Sequence, residues 1–215
     1  MRKIRKKDWN NIKSSKFYRQ ESYKIYIVLT YSGTFLSRCI KTYTGEPYSH
    51  VSVSLNVKLN NMYSFGRKYY KNPFIGGFVE ESINKGVYGK FKNTTCAVYS
   101  LKINEIQYNN LRNLLYKFEI NRERYGYNLL GLLGVILNTP IKRKYKFFCS
   151  QFVATLLDYS GIHIFNKPAS LVSPKDFRYC SKMTLIYEGR LNDYKVNYEE
   201  LSDIRIGESL DKKIS

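Results

Sequence analysis

The sequence predicts an α+β domain with an antiparallel sheet packed against helices. Three observations carry this. "KIYIVLT" (24–30) and "TTCAVYSLKI" (94–103) are short runs rich in β-branched and aromatic residues, as strands require. "PYSHVSVSLNV" (47–57) alternates Val51, Val53 and Leu55 with Ser52, Ser54 and Asn56, a period of two with one apolar and one polar face. Helical patterns stand apart from these strands and carry recognisable starts: Asn104 before "EIQYNNLRNLLYKFEI" and Ser173 before Pro174.

Taken in order, residues 1–22 form a basic arm outside the core, and 24–30 is the opening strand. "GTFLSRCIKTYTG" (33–45) has helical spacing and ends at a glycine, with Cys39 on its core side. The alternating segment 47–57 is a strand with one wet face. "LNN" (59–61) is turn chemistry, so "MYSFGR" (62–67) is the return strand of a hairpin. "NPFIGG" (72–77) reads as a loop, followed by a short extended piece, "FVEESI". Residues 94–103 form a strand holding Cys96, and a helix runs from Asn104 to about residue 120. "YGYNLLGLLGVIL" (125–137) is an apolar helix or loop-helix element, and "CSQFVATLLDYSG" a helix that starts at Cys149 and stops at Gly161. "MTLIYEGR" and "DYKVNYEE" suggest a closing strand pair. The main domain is therefore 23–200, with a loose tail at 201–215.

Composition narrows the class. The 215 residues are 43% hydrophobic, enough for a core in one domain. No apolar run reaches the roughly 18 residues that mark a membrane span. The N-terminus lacks the apolar centre of a secretory signal, so a soluble cytoplasmic protein is expected, with a peripheral membrane contact as an alternative. The net charge is +19. It clusters only in the arm, where Arg2, Lys3, Arg5, Lys6, Lys7, Lys13, Lys16 and Arg19 face Asp8 alone, and in "IKRKYK" (141–146). No zinc-finger or basic-zipper spacing accompanies it, so no specific nucleic-acid partner is expected. The arm interleaves Trp9, Ile12, Phe17 and Tyr18 with its cations, which suits an anionic membrane surface. Cys39, Cys96, Cys149 and Cys180 are far apart and include no C-x-x-C pair, which argues against a zinc site or a disulfide framework.

One of these thiols stands out. A helix that begins at Cys149 places the sulfur beside unpaired backbone N–H groups and the positive end of the helix dipole, and both favour thiolate over thiol. Phe152, Val153, Leu156 and Leu157 anchor the helix, leaving its first residue free to face a groove. A nucleophilic cysteine needs a base, and the chain has two histidines. His163 lies a helix length away from Cys149 and reads as structural. His50 opens the alternating strand on its polar face.

"YSHVSVSL", "MYSFGR", "FFCSQFV" and "LVSPKDF" together resemble the circularly permuted papain-like branch of the NlpC-type superfamily, which holds the YiiX-like proteins and the lecithin retinol acyltransferase-like enzymes. The resemblance covers roughly residues 24 to 180, and its order, His50 before Cys149, is the permuted one. It implies a permuted papain-like fold and a cysteine hydrolase in which Cys149 is the nucleophile and His50 the base. The oxyanion would be held by the backbone N–H at the cysteine. The third, orienting residue would fall at Ser64, a weak orienter, or be supplied by Glu80 or Glu81 if "FVEES" folds back beside the histidine. No metal or cofactor is implied. The substrate would be an amide in a peptide or cell-wall fragment. Two alternatives stay open: a lipid-acting acyltransferase or thioesterase, and a catalytically weak binding protein.

Overall fold

The computed structural model describes residues 22–69, 72–141 and 143–196. The arm through residue 21 and the tail from 197 lie outside the described residues, as does the side chain of Cys39. Six strands form one antiparallel sheet: β1 (Ser22–Tyr31), β2 (His50–Ser54), β3 (Met62–Tyr69), β4 (Asn72–Glu81), β5 (Thr95–Asn104) and β8 (Thr184–Arg190), in the spatial order β4-β3-β2-β1-β5-β8. Two further strands, β6 (Gly126–Tyr127) and β7 (Lys146–Phe147), pair in parallel as a separate ribbon. The helices are α1 (Phe35–Thr44), α2 (Gly86–Lys90), α3 (Glu105–Ile120), α4 (Leu129–Ile136), α5 (Cys149–Tyr159) and α6 (Pro174–Arg178).

The central strand β1 is buried on both faces, and its alternation sorts two cores. Ile25, Ile27 and Leu29 join Val51, Val53, Phe65 and Phe78 beneath α3 and α5. Tyr26 and Val28 face Val57, Leu59, Met62, Tyr88, Cys96, Val98 and Leu191 on the other side. The helices against the first face begin as their sequences predict. Asn104 accepts from the Gln107 amide N–H at 2.9 Å while the Gln107 side chain accepts from the Asn104 N–H at 3.0 Å. This reciprocal cap satisfies two otherwise orphaned donors. Ser173 and Asp176 form the same box at α6, with Pro174 at the first helical position.

Three expectations are corrected. The polar face of β2 is not wet: Ser52 and Ser54 are fully buried. Residues 57–59, α2 and Leu191 cover that face, and the hydroxyls are satisfied inside, Ser54 by the carbonyls of Asn56 and Asn61. Residues 72–77 are not a loop but the first part of β4, paired to β3 through Arg67↔Gly76 and Gly66↔Gly77. Gly76 serves close packing, because Tyr127 lies over the hairpin: a Cβ on Gly76 would sit 2.7 Å from the Gly66 carbonyl oxygen and 2.9 Å from Tyr127 Cβ. Gly76→Ala is therefore expected to destabilise the fold by about 1–3 kcal/mol, the usual range for overpacking, as measured by urea unfolding. A wild-type midpoint in that variant would show that β6 does not press on the hairpin. Finally, among the described residues β8 pairs with β5 and with no following strand, and residues 191–193 form a 3-10 turn, while the end of "DYKVNYEE", from 197, lies outside the described residues.

Candidate active site

His50 is the first residue of β2 and pairs across from Thr30 in β1, with the Ser49 N–H donating to the Thr30 carbonyl at 3.1 Å. Its side chain is 22% exposed. Nε2 lies 3.0 Å and 3.2 Å from the two carboxylate oxygens of Glu81, the last residue of β4. Strand alternation accounts for the face they share. In β4, Phe78 turns into the first core, so Val79 and Glu81 alternate onto the second face with Ser52 and His50. Between them lies Gly66 of β3: a Cβ there would lie 3.6 Å from His50 Cε1 and 3.7 Å from Glu81 Oε1. The bare backbone lets the pair close over it.

The carboxylate is held from two more directions. Ser52 Oγ donates to Glu81 Oε2 at 2.5 Å, and the Tyr88 hydroxyl donates to the same oxygen at 3.4 Å. Tyr88 OH is also 3.0 Å from Thr30 Oγ1. Burial and the adjacent Glu81 charge push the Tyr88 phenol well above its ordinary value, so it stays a neutral donor. Burial alone would favour neutral His50, but the Glu81 charge and the Cys149 sulfur override it and raise its pKa to about 10. Burial likewise opposes ionisation of Glu81, yet His50, Ser52 and Tyr88 hold it below the usual carboxylate range. The resting pair at neutral pH is imidazolium–carboxylate.

Cys149 is the first residue of α5 and is 3% exposed. No side chain caps this helix, since Phe148 at the N-cap is apolar and buried. The first backbone N–H groups of α5 thus have no side-chain acceptor at the helix start. The β6–β7 ribbon leads the chain into the helix. Phe147 packs 5.1 Å from Phe65, ring centre to ring centre, and Ser150 Oγ donates to the Val172 carbonyl at 2.7 Å. Phe152 and Val153 seat the helix on the core under β2 and β3. The sulfur then stabilises the protonated imidazole by charge and by hydrogen bonding. With Nε2 committed to Glu81, Nδ1 is the ring nitrogen left for it. A cavity of about 70 Å³ opens beside His50 and Glu81, walled by Thr30, Ser49, Tyr88 and Tyr127.

The structure thus brings Cys149 and His50 together and, of the three candidates for the third position, sets Ser64 and Glu80 apart from them and Glu81 beside His50. Ser64 is fully buried and donates to the Val51 carbonyl at 2.6 Å, so its hydroxyl is already used by the backbone. Glu80 is exposed, because it alternates to the opposite face and pairs across from Tyr63. Glu81, the other acid named in "FVEES", is the one that meets His50. Ser52 and Tyr88 escaped sequence reasoning. The period of β2 signals Ser52, but nothing in the sequence places α2 over it. His163 is 73% exposed and lies 3.5 Å from Asp158, away from the cleft. The Cys96 thiol is fully buried, and burial with the Glu188 charge pushes it up to about 12. Among the described residues no cluster of three His, Cys, Asp or Glu side chains could hold a metal ion. Comparison with known proteins found no matching family model, curated protein or solved structure.

Proposed function

We propose that this chain is a cysteine hydrolase with a permuted papain-like arrangement, acting on amide bonds in peptides or cell-wall fragments. The observation that supports it most is the pairing of a cysteine at the first position of α5 with a histidine whose far nitrogen is held by a buried carboxylate. The reactive form of the site pairs a Cys149 thiolate with protonated His50. The thiolate attacks the carbonyl carbon, and the C=O electron pair moves onto oxygen. The first N–H groups of α5 receive that oxyanion. His50 gives its proton to the leaving amine as the C–N bond breaks, leaving a thioester on Cys149. Neutral His50 then takes a proton from water. The hydroxide forms the acid, the thiolate leaves, and the imidazolium is restored. Glu81 fixes the ring and stabilises its charged form throughout, as the carboxylate does in related triads. If an alcohol or amine intercepts the thioester, the same steps give acyl transfer.

Iodoacetamide labelling followed by peptide mass mapping tests the pairing. Cys149 is expected to react well before Cys96 and Cys180 near neutral pH, and His50→Ala to slow it by roughly tenfold or more. Equal Cys149 labelling in the variant removes His50 from the mechanism. Activity is read separately, as a mass increase of one acyl group on Cys149 after incubation with activated esters or peptide anilides.

A further inference from the structure

The described side chains of helix α4 are arranged inside out. Its sequence, "LLGLLGVI", holds no charged or polar side chain. Glycines seat it against the body: a Cβ on Gly131 would lie 2.9 Å from Phe148 Cδ1, and one on Gly134 2.5 Å from the Thr139 carbonyl oxygen. Leu129, Leu130 and Leu137 point outward instead. Leu129 is 38% exposed, Leu130 49%, and Leu137, seven residues after Leu130 and just past the helix end, 69%. An ordinary surface helix does the reverse and buries its leucines. The exposed residues also adjoin a cationic cluster. Arg122 and Arg124 precede β6, and Arg143 and Lys144 precede β7; all four are exposed. The parallel pairing of β6 with β7 brings them together. Among them Tyr145, 41% exposed, lies under both Arg124, at 5.3 Å, and Lys144, at 5.2 Å.

We propose that α4 and this basic cluster dock the protein on an anionic lipid bilayer. Apolar side chains beside an amphipathic tyrosine and a ring of cations match the layered chemistry of a membrane interface, apolar below and anionic at headgroup level. An acidic protein groove would match the cations but leaves no reason for a helix that turns every described leucine outward. Eight residues span about 12 Å, so α4 lies in the interface and does not cross the bilayer. The docking face adjoins the candidate site. Tyr127 of β6 lines the cavity beside His50, the Asn128 amide donates to Gln151 Oε1 of α5 at 3.3 Å, and β7 runs directly into Cys149. The proposal is independent of the catalytic reading, because it concerns binding alone.

The test is co-sedimentation of the full chain with phosphatidylcholine vesicles, with and without phosphatidylglycerol. Wild type is expected to bind the anionic vesicles and to release at high salt. Leu130→Ser with Leu137→Ser is expected to weaken binding by roughly tenfold or more, and Arg143→Glu with Lys144→Glu by at least as much. Circular dichroism melting checks that both variants keep their fold, and a third pair, Leu130→Met with Leu137→Met, should bind as wild type does. Binding that follows charge but ignores the leucine pair assigns the contact to another basic segment and overturns the proposal. So does a wild-type dimer that the leucine pair dissociates while vesicle binding stays unchanged, since a second copy would then cover this face.

Discussion

Cys149→Ser is expected to abolish thioester formation and to lower kcat/KM by on the order of 10³-fold or more, with little change in stability. The two side chains differ by one atom, and the site lies at a helix start rather than in the packed core formed by Phe152, Val153 and Leu156. A serine hydroxyl stays protonated at neutral pH. Its partner imidazole keeps the neighbouring Glu81 charge, which favours the protonated ring, so it is a poor base for activating an alcohol. A cysteine can work with a protonated histidine because the thiolate already carries the electron pair. The site is therefore matched to a thiol and not to a hydroxyl. Intact-mass analysis with an activated ester, beside a thermal melt, reads both quantities. Acylation of the serine variant at the wild-type rate would refute the nucleophile assignment.

Glu81→Gln is expected to have the second largest effect, and its signature is pH dependence. His50 has a folded pKa raised from 6.5 to about 10, so the stability it contributes is fully present below about 6.5 and is lost as pH rises towards 10. Glu81 has a folded pKa lowered from 4.5, so its contribution is present above that value and lost as pH falls below it. Together they predict greatest stability from this pair between about pH 4.5 and 6.5. In Glu81→Gln the amide can still meet Nε2 and Ser52, but the charge that raises the imidazole pKa is gone. Loss of one partner of a buried pair is expected to cost about 2 kcal/mol near pH 6, less than a stranded charge would, because His50 can become neutral. The fall in stability between pH 6.5 and 10 should flatten. Hydrolysis should drop by about 10²-fold near neutral pH, with part of the rate recovered in Glu81→Asp. Urea unfolding at pH 5.5, 7.5 and 9.5 supplies the comparison. Parallel slopes in wild type and variant would mean that the pair does not set the titration of His50.

Local chemistry was legible in the sequence wherever neighbours along the chain decide the outcome. The start of α5 at Cys149, the caps at Asn104 and Ser173, and the alternation that puts His50 on one face with Ser52 depend only on short-range periodicity and hydrogen bonding. They stand in the structure where the sequence places them. Glu81 was only half legible, as one of two adjacent acids. A strand assigns neighbours to opposite faces, and only the register Met62↔Glu81 with Phe78 inward selects it over Glu80. Reading 72–77 as a loop removed that register, because its glycines signal turns in isolation. What Gly76 responds to here is Tyr127, more than forty residues away. The dry second face of β2 is of the same kind. Its serines read as surface until α2 and Leu191 close over them, and then burial makes Ser52 and Tyr88 donors to a carboxylate. The sequence by itself determined that Cys149 opens a helix and that His50 opens a strand on the face it shares with Ser52. Tertiary packing decided which acid meets His50 and how dry the site is, because both depend on segments that are distant in the chain and adjacent only after folding.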